Sequence, residues 1–127
     1  MNSAHFYKLT HVAGVRGVIE TGTIEWTPHR KFEGVFLKHI ITAEQTGGML
    51  SSHIVRLDSF SELGNHIHEG QVEIHEVVSG TGFCLIDGVE YEYTPGVTAV
   101  IPADTPHSVK AGNGGLYLMA KFSPALL

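Results

Sequence analysis

The chain has a single cysteine, Cys84, which excludes an internal disulfide and a zinc cage built from several thiolates. No apolar run approaches the ~20 residues that a membrane-spanning helix needs. Charge is sparse: Asp, Glu, Lys and Arg make up 17% of the chain, where about 25% is usual. The 8 Lys and Arg are scattered among 13 acidic residues, for a net charge of −5 with neutral histidines. Duplex binding needs clustered cations, so nucleic acid is not an expected partner. Met1–Val12 is polar and mixed and carries no apolar segment of the secretory type. The expectations are a cytoplasmic protein and no membrane partner. Sustained helical periodicity with caps at both ends is missing too, as are low-complexity tracts, linkers and internal repeats.

What remains is a turn-rich chain of 127 residues, 43% hydrophobic, with 15 Gly and 5 Pro. That length predicts one domain with a core of its own. From Gly34 onward, short β-branched and aromatic runs are cut by Gly, Pro and Asp. Val35–Thr42, Leu50–Leu57, Val72–Val78, Gly82–Ile86, Val89–Tyr93, Val97–Ile101, His107–Lys110 and Leu116–Phe122 all have strand length. The pattern predicts an all-β sandwich or barrel. Asp87-Gly88 predicts a two-residue hairpin turn, because that turn needs positive φ at both positions. Gly47-Gly48 is placed to close a hairpin between Val35–Thr42 and Leu50–Leu57, and Pro95-Gly96 ends a strand. Residues 1–32 read as N-terminal strands and an extension, around His5–Val12 and Val15–Ile19, and residues 33–127 as a single barrel domain. An extra N-terminal strand would cover a sheet edge or cross to a partner subunit.

The unusual abundance is histidine, with 9 residues. His66-Ile67-His68 places two imidazoles at i and i+2. On a strand these share a face and can converge on one ion. Glu73 follows past Gly70, far enough on to present a carboxylate from the next strand. His107 arrives after Pro102-Ala103-Asp104-Thr105-Pro106, a stiff segment suited to holding a ligand still.

The ordered series His66-x-His68-x4-Glu73-x6-Gly80, then Gly96-x5-Pro102-x-Asp104-x2-His107, resembles the two conserved motifs of the cupin superfamily. Only 15 residues separate Gly80 from Gly96, as in its small single-domain bacterial members. The resemblance implies an RmlC-like jelly-roll β-barrel, a double-stranded β-helix, commonly dimeric. It also implies that His66, His68, Glu73 and His107 bind one divalent transition metal inside the barrel. Two positions depart from the family pattern: Phe60 stands where the first motif opens with Gly, and Ala111 where the second carries Asn. Neither position is a ligand.

Other residues have two readings. Strand parity puts Glu73, His75 and Val77 on one face. His75 is then a hydrogen-bonded pocket residue, or one that orients a ligand or acts as a general base. Glu69 and Glu76 read as rim residues, and Cys84 as a small buried hydrophobe. His39 and His53 read as structural cross-strand neighbours. Arg56 meets an anionic substrate at the barrel mouth or is simply solvated. Tyr117, Met119, Phe83 and Leu85 are expected in the core.

Three imidazoles and a carboxylate suit Fe, Mn, Co, Ni, Cu or Zn without choosing among them. Such a centre serves O₂ activation beside a chelated substrate, or Lewis-acid chemistry on a carbonyl. The expected function is a metal-dependent enzyme on a small organic substrate, of dioxygenase, isomerase or lyase type. The rival is a non-catalytic barrel that binds a metal or a small ligand. An open metal site beside a cavity of roughly 300 Å³ or more would favour chemistry, and a barrel plugged by side chains a structural role.

Overall fold

The computed structural model describes residues 11–14 and 17–127. It is an antiparallel jelly-roll barrel. Among the described residues, strand β1 (His11–Gly14) pairs only with β2 (Gly17–Glu20), in a two-stranded sheet of their own. The expected strand at His5–Val12 falls mostly outside the described residues, as does Val15. The main sheet contains β3 (Thr27–Pro28), β4 (Val35–Ile41), β5 (Ser51–Leu57), β6 (Glu62–His66), β7 (Val72–Ile86), β8 (Val89–Tyr93), β9 (Thr98–Ile101) and β10 (His107–Ser123). A one-turn helix, α1 (Ala43–Thr46), joins β4 to β5, with Gly47 in the left-handed conformation at its end. No helix among the described residues is long and apolar enough to cross a membrane.

Two long strands build the barrel. The first half of β7 pairs with β9 and with the second half of β10. Its second half pairs with β8 and with the first half of β10, which also carries β6. The sequence presents these as four separate runs, because glycines interrupt the apolar pattern. The glycines instead mark where each strand crosses between layers: the β7–β10 register breaks between Ala111 and Leu116, opposite Gly80 and Gly82. β6 has no counterpart among the expected strands; its sequence, Glu-Leu-Gly-Asn-His, has little β-branched character. The Asp87-Gly88 turn is as expected, with φ of 48° and 81°.

The register break changes which face looks inward. Glu73, His75 and Val77 are buried on the first half of β7, but Gly82 and Cys84 on the second. Phe83 and Leu85 therefore point outward, 48% and 42% exposed, contrary to expectation. On β10 the core face is Leu116, Leu118, Ala120 and Phe122. Tyr117 and Met119 lie on the other face and are only partly buried. There Tyr117 meets Trp26 edge-on at 6.4 Å. Arg56 shares this outer face: its guanidinium lies over Phe36 at 4.1 Å and Trp26 at 4.8 Å, with Asp58 Oδ1 3.4 Å from Nε. It is therefore neither at the barrel mouth nor simply solvated. The segment before β4 also covers Lys38, whose Nζ donates to the Thr21 carbonyl at 3.2 Å.

Candidate metal centre

His66 is the last residue of β6, His107 the first of β10, and the two are cross-strand partners. Glu73 is the second residue of β7. His68 lies just past the end of β6, so the His-x-His pair is not on one continuous strand. A loop clamp fixes it: Asp104 Oδ1 accepts from the Gly70 N–H at 3.0 Å, and the Asp104 N–H donates to the His68 carbonyl at 3.2 Å. The aspartate of the second motif thus ties the two ligand-bearing loops together.

The structure brings all four predicted residues to one place. One ligand atom from each of His66, His68, Glu73 and His107 lies within 4.8 Å of the others. With metal–ligand bonds of roughly 2.0–2.3 Å, ligand atoms on one ion lie about 3–4.6 Å apart, so this spacing is of the order that a common ion requires. Hydrogen bonds set the ring orientations. Nδ1–H of His66 donates to the Gly64 carbonyl at 2.6 Å, and Nδ1–H of His107 to the Thr105 carbonyl at 2.9 Å. In the neutral rings this leaves each Nε2 lone pair available to a metal.

Glu73 is divided in the same way. Its Oε2 accepts from Nε2–H of His75 at 2.8 Å, and the Tyr93 hydroxyl donates to Nδ1 of His75 at 2.8 Å. His75 is thus the residue that orients the carboxylate from behind. Glu73 Oε1 and His107 Nε2 approach to 3.0 Å, yet too poorly aligned for a hydrogen bond. Both atoms are buried without a hydrogen-bond partner among the described residues. Buried polar atoms are rarely left so, and a cation shared with His66 and His68 satisfies both. The residues present fit a divalent transition metal on this observation.

Burial alone would raise the Glu73 carboxyl; the close contacts with His75 and His107 overturn this and hold it well below the usual carboxylate range. Burial pushes His66 down to about 4, against the raising pull of the Gly64 carbonyl. Burial lowers His68 too, partly offset by Glu73. For His107 burial again pulls downward, but Glu73 and the Thr105 carbonyl prevail and raise it. Behind the centre, burial drives the Cys84 thiol up to about 11, so it is the inert hydrophobe expected.

Glu69 is exposed, and Glu76 pairs with Lys121 away from the centre. His39 and His53 are cross-strand partners, as expected, with their Nδ1 atoms 2.8 Å apart. His53 Nε2 also meets Ser51 Oγ at 2.8 Å. Burial, then the neighbouring His39, push His53 down to about 4 from an ordinary 6.5. The folded protein therefore resists a proton that the unfolded chain accepts. The contribution of His53 to stability is whole above pH 6.5 and is lost progressively as pH falls toward about 4. Urea unfolding of the protein in chelator should show this fall, and His53→Gln should reduce its slope. A flat profile from pH 7 to 4 would contradict it.

The cavity at the centre has a volume of about 70 Å³. Apolar side chains, among them Val35, Leu37, Val55 and Leu63, form much of its wall, with His66, His68 and Glu73 on one side. His29 lines it too. Sequence reasoning missed His29, which lies far from both motifs in a loop without periodicity.

The family model for the cupin domain matches residues 53–118. No curated protein matches the sequence. Among solved structures, KdgF from Halomonas sp. is 24% identical with a TM-score of 0.70, over 79% of this chain and 86% of that one. A predicted oxalate decarboxylase from Thermotoga maritima is 24% identical with a TM-score of 0.74, over 81% of this chain and 95% of that one. An RmlC-like cupin from Shewanella frigidimarina is 22% identical with a TM-score of 0.71, over 83% and 87%. At such identities these likenesses show the fold.

Proposed function

This chain belongs to the cupin family, and we propose that it is a metal-dependent enzyme acting on a small organic substrate. The observation that carries the metal centre in this proposal is the pair of orphaned, buried atoms, Glu73 Oε1 and His107 Nε2, beside the His66 and His68 rings. Holding unsatisfied polar atoms together in a protein interior is costly, and a bound cation relieves the cost. His66, His68, Glu73 and His107 would hold the ion. Bound there, a transition metal supplies Lewis-acid or O₂ chemistry of dioxygenase, isomerase or lyase type. Tyr93 and His75 keep the carboxylate oriented, and the apolar wall excludes water around whatever ligand enters.

The cavity limits the substrate. At about 70 Å³ it falls well short of roughly 300 Å³, the low end for drug-sized ligands. It holds on the order of five water-sized groups. A substrate of about that many heavy atoms fits; a sugar or an aromatic ring enters only in part. The Thermotoga maritima neighbour is a predicted oxalate decarboxylase, and oxalate is a ligand of this scale. The same small volume favours the second reading, a barrel that binds metal or a small ligand without turnover.

The test is elemental analysis of protein purified without chelator or nickel affinity, followed by a screen of small acids for O₂ uptake, isomerisation and decarboxylation. Turnover that scales with bound metal and vanishes on stripping supports the enzyme. A metal-replete protein that turns over none of them supports the binding barrel. A homodimer is part of the same proposal: the β1–β2 hairpin stands apart from the barrel sheet and leaves Val18 61% and Ile19 47% exposed.

A further inference from the structure

We propose that His29 is the hydrogen-bond donor that holds the free oxygen of a small chelating acid, of the 2-hydroxy-acid class, at the metal centre. The inference rests on the metal reading above and adds the residue and the ligand chemistry. Among the described residues lining the cavity, His29 is the one polar side chain outside the ligand group. A chelating acid would offer a metal two oxygens and keep a third, carboxylate oxygen free in a cavity whose other walls include Leu37, Val55 and Leu63. An oxygen buried against apolar walls needs a donor.

The ring is prepared for that task by its own loop. His29 Nδ1 accepts from the backbone N–H groups of Lys31 at 3.0 Å and Phe32 at 3.2 Å. With Nδ1 an acceptor, the neutral ring carries its proton on Nε2. No acceptor among the described residues takes that proton. The His29 N–H donates to the Val35 carbonyl at 2.8 Å, closing the loop. The imidazole lies on Phe32, with ring centroids 4.9 Å apart. Phe32 in turn packs where only glycine fits: a Cβ at Gly64 would stand 2.7 Å from its Cε1. Two backbone donors and the Phe32 ring, which itself lies 6.4 Å from the His66 ring, thus orient the imidazole before a ligand arrives, which reduces the entropy lost on binding.

The experiment uses the Co(II)-loaded protein and glycolate as probe, followed through the visible cobalt absorption. His29→Ala should bind Co(II) as tightly as the wild type but glycolate about 10-fold or more weakly, the scale of a hydrogen bond to a charged group. His29→Gln, which keeps a donor, should recover most of the loss. His29→Leu keeps bulk against Phe32 and donates nothing; it reads the same way should the alanine variant unfold. Equal glycolate affinity in the wild type and the donor-less variant overturns the proposal while leaving the metal centre intact. Failure of the wild type to retain Co(II) overturns the metal reading, and this proposal with it.

Discussion

Glu73→Gln is expected to lower metal affinity by more than the 10–100-fold that loss of a supporting outer partner brings, while leaving the barrel folded. The two effects separate because glutamine has the shape of glutamate. Its amide oxygen can still accept from His75 Nε2–H, where Oε2 of Glu73 now does so at 2.8 Å. Its amide N–H₂ would then face Nε2 of His107, where Oε1 now stands at 3.0 Å. The His75 bond is kept and the side-chain amide offers a donor to the orphaned His107 Nε2, so folding does not suffer. The anionic donor is gone, and an amide nitrogen that donates to His107 competes with a metal for the same lone pair. Chelator competition with Zn(II) or Co(II) reads the affinity, and thermal unfolding in chelator reads the fold. Wild-type affinity in the variant would remove Glu73 from the ligand set.

The second large effect is on stability. Gly80 has φ of +82°, and a Cβ there would lie 2.2 Å from the Gly115 carbonyl oxygen and 3.0 Å from Leu116 Cα. Both contacts are backbone, at the crossing where β7 and β10 pass between layers, so no side chain can swing aside. Gly80→Ala should therefore cost about 3 kcal/mol or more, lowering the melting temperature by roughly 10 °C. Gly88→Ala separates the contributions. Its φ is +81°, yet nothing lies within 4 Å of the added atom. It carries only the left-handed backbone penalty, about 1 kcal/mol. Equal losses in the two variants would show that the Gly80 contact is relieved by movement.

The cluster of His66, His68, Glu73 and His107 was legible because the first three sit within eight residues, His107 follows a stiff proline segment, and the ordered series resembles the two cupin motifs. The Asp87-Gly88 turn was legible for a similar reason, since its backbone demand falls on two adjacent residues. Strand parity was legible only up to the glycine crossings. Leu116 to Ala120 is apolar on both faces, so alternation does not choose between them; Lys121 on the Tyr117 face and Phe122 on the other were the available signal. Phe83 and Leu85 fail for the register break at Gly80, which no alternation rule anticipates. Arg56 and His29 depend on contacts from the segment before β4. Residues 21–32 carry no periodic pattern, so neither the aromatic stack on Arg56 nor the loop that brings His29 to the cavity has a local signature. His75 was half legible: parity placed it beside Glu73, but its tie to Tyr93 spans β7 and β8 and needed the fold.

The most direct test of the central claim is a crystal of the Co(II)-soaked protein measured at the cobalt absorption edge. The account predicts one anomalous peak per chain, at bonding distance, roughly 2.0–2.3 Å, from His66, His68, Glu73 and His107. No peak there, with those four side chains keeping their own contacts, would contradict it.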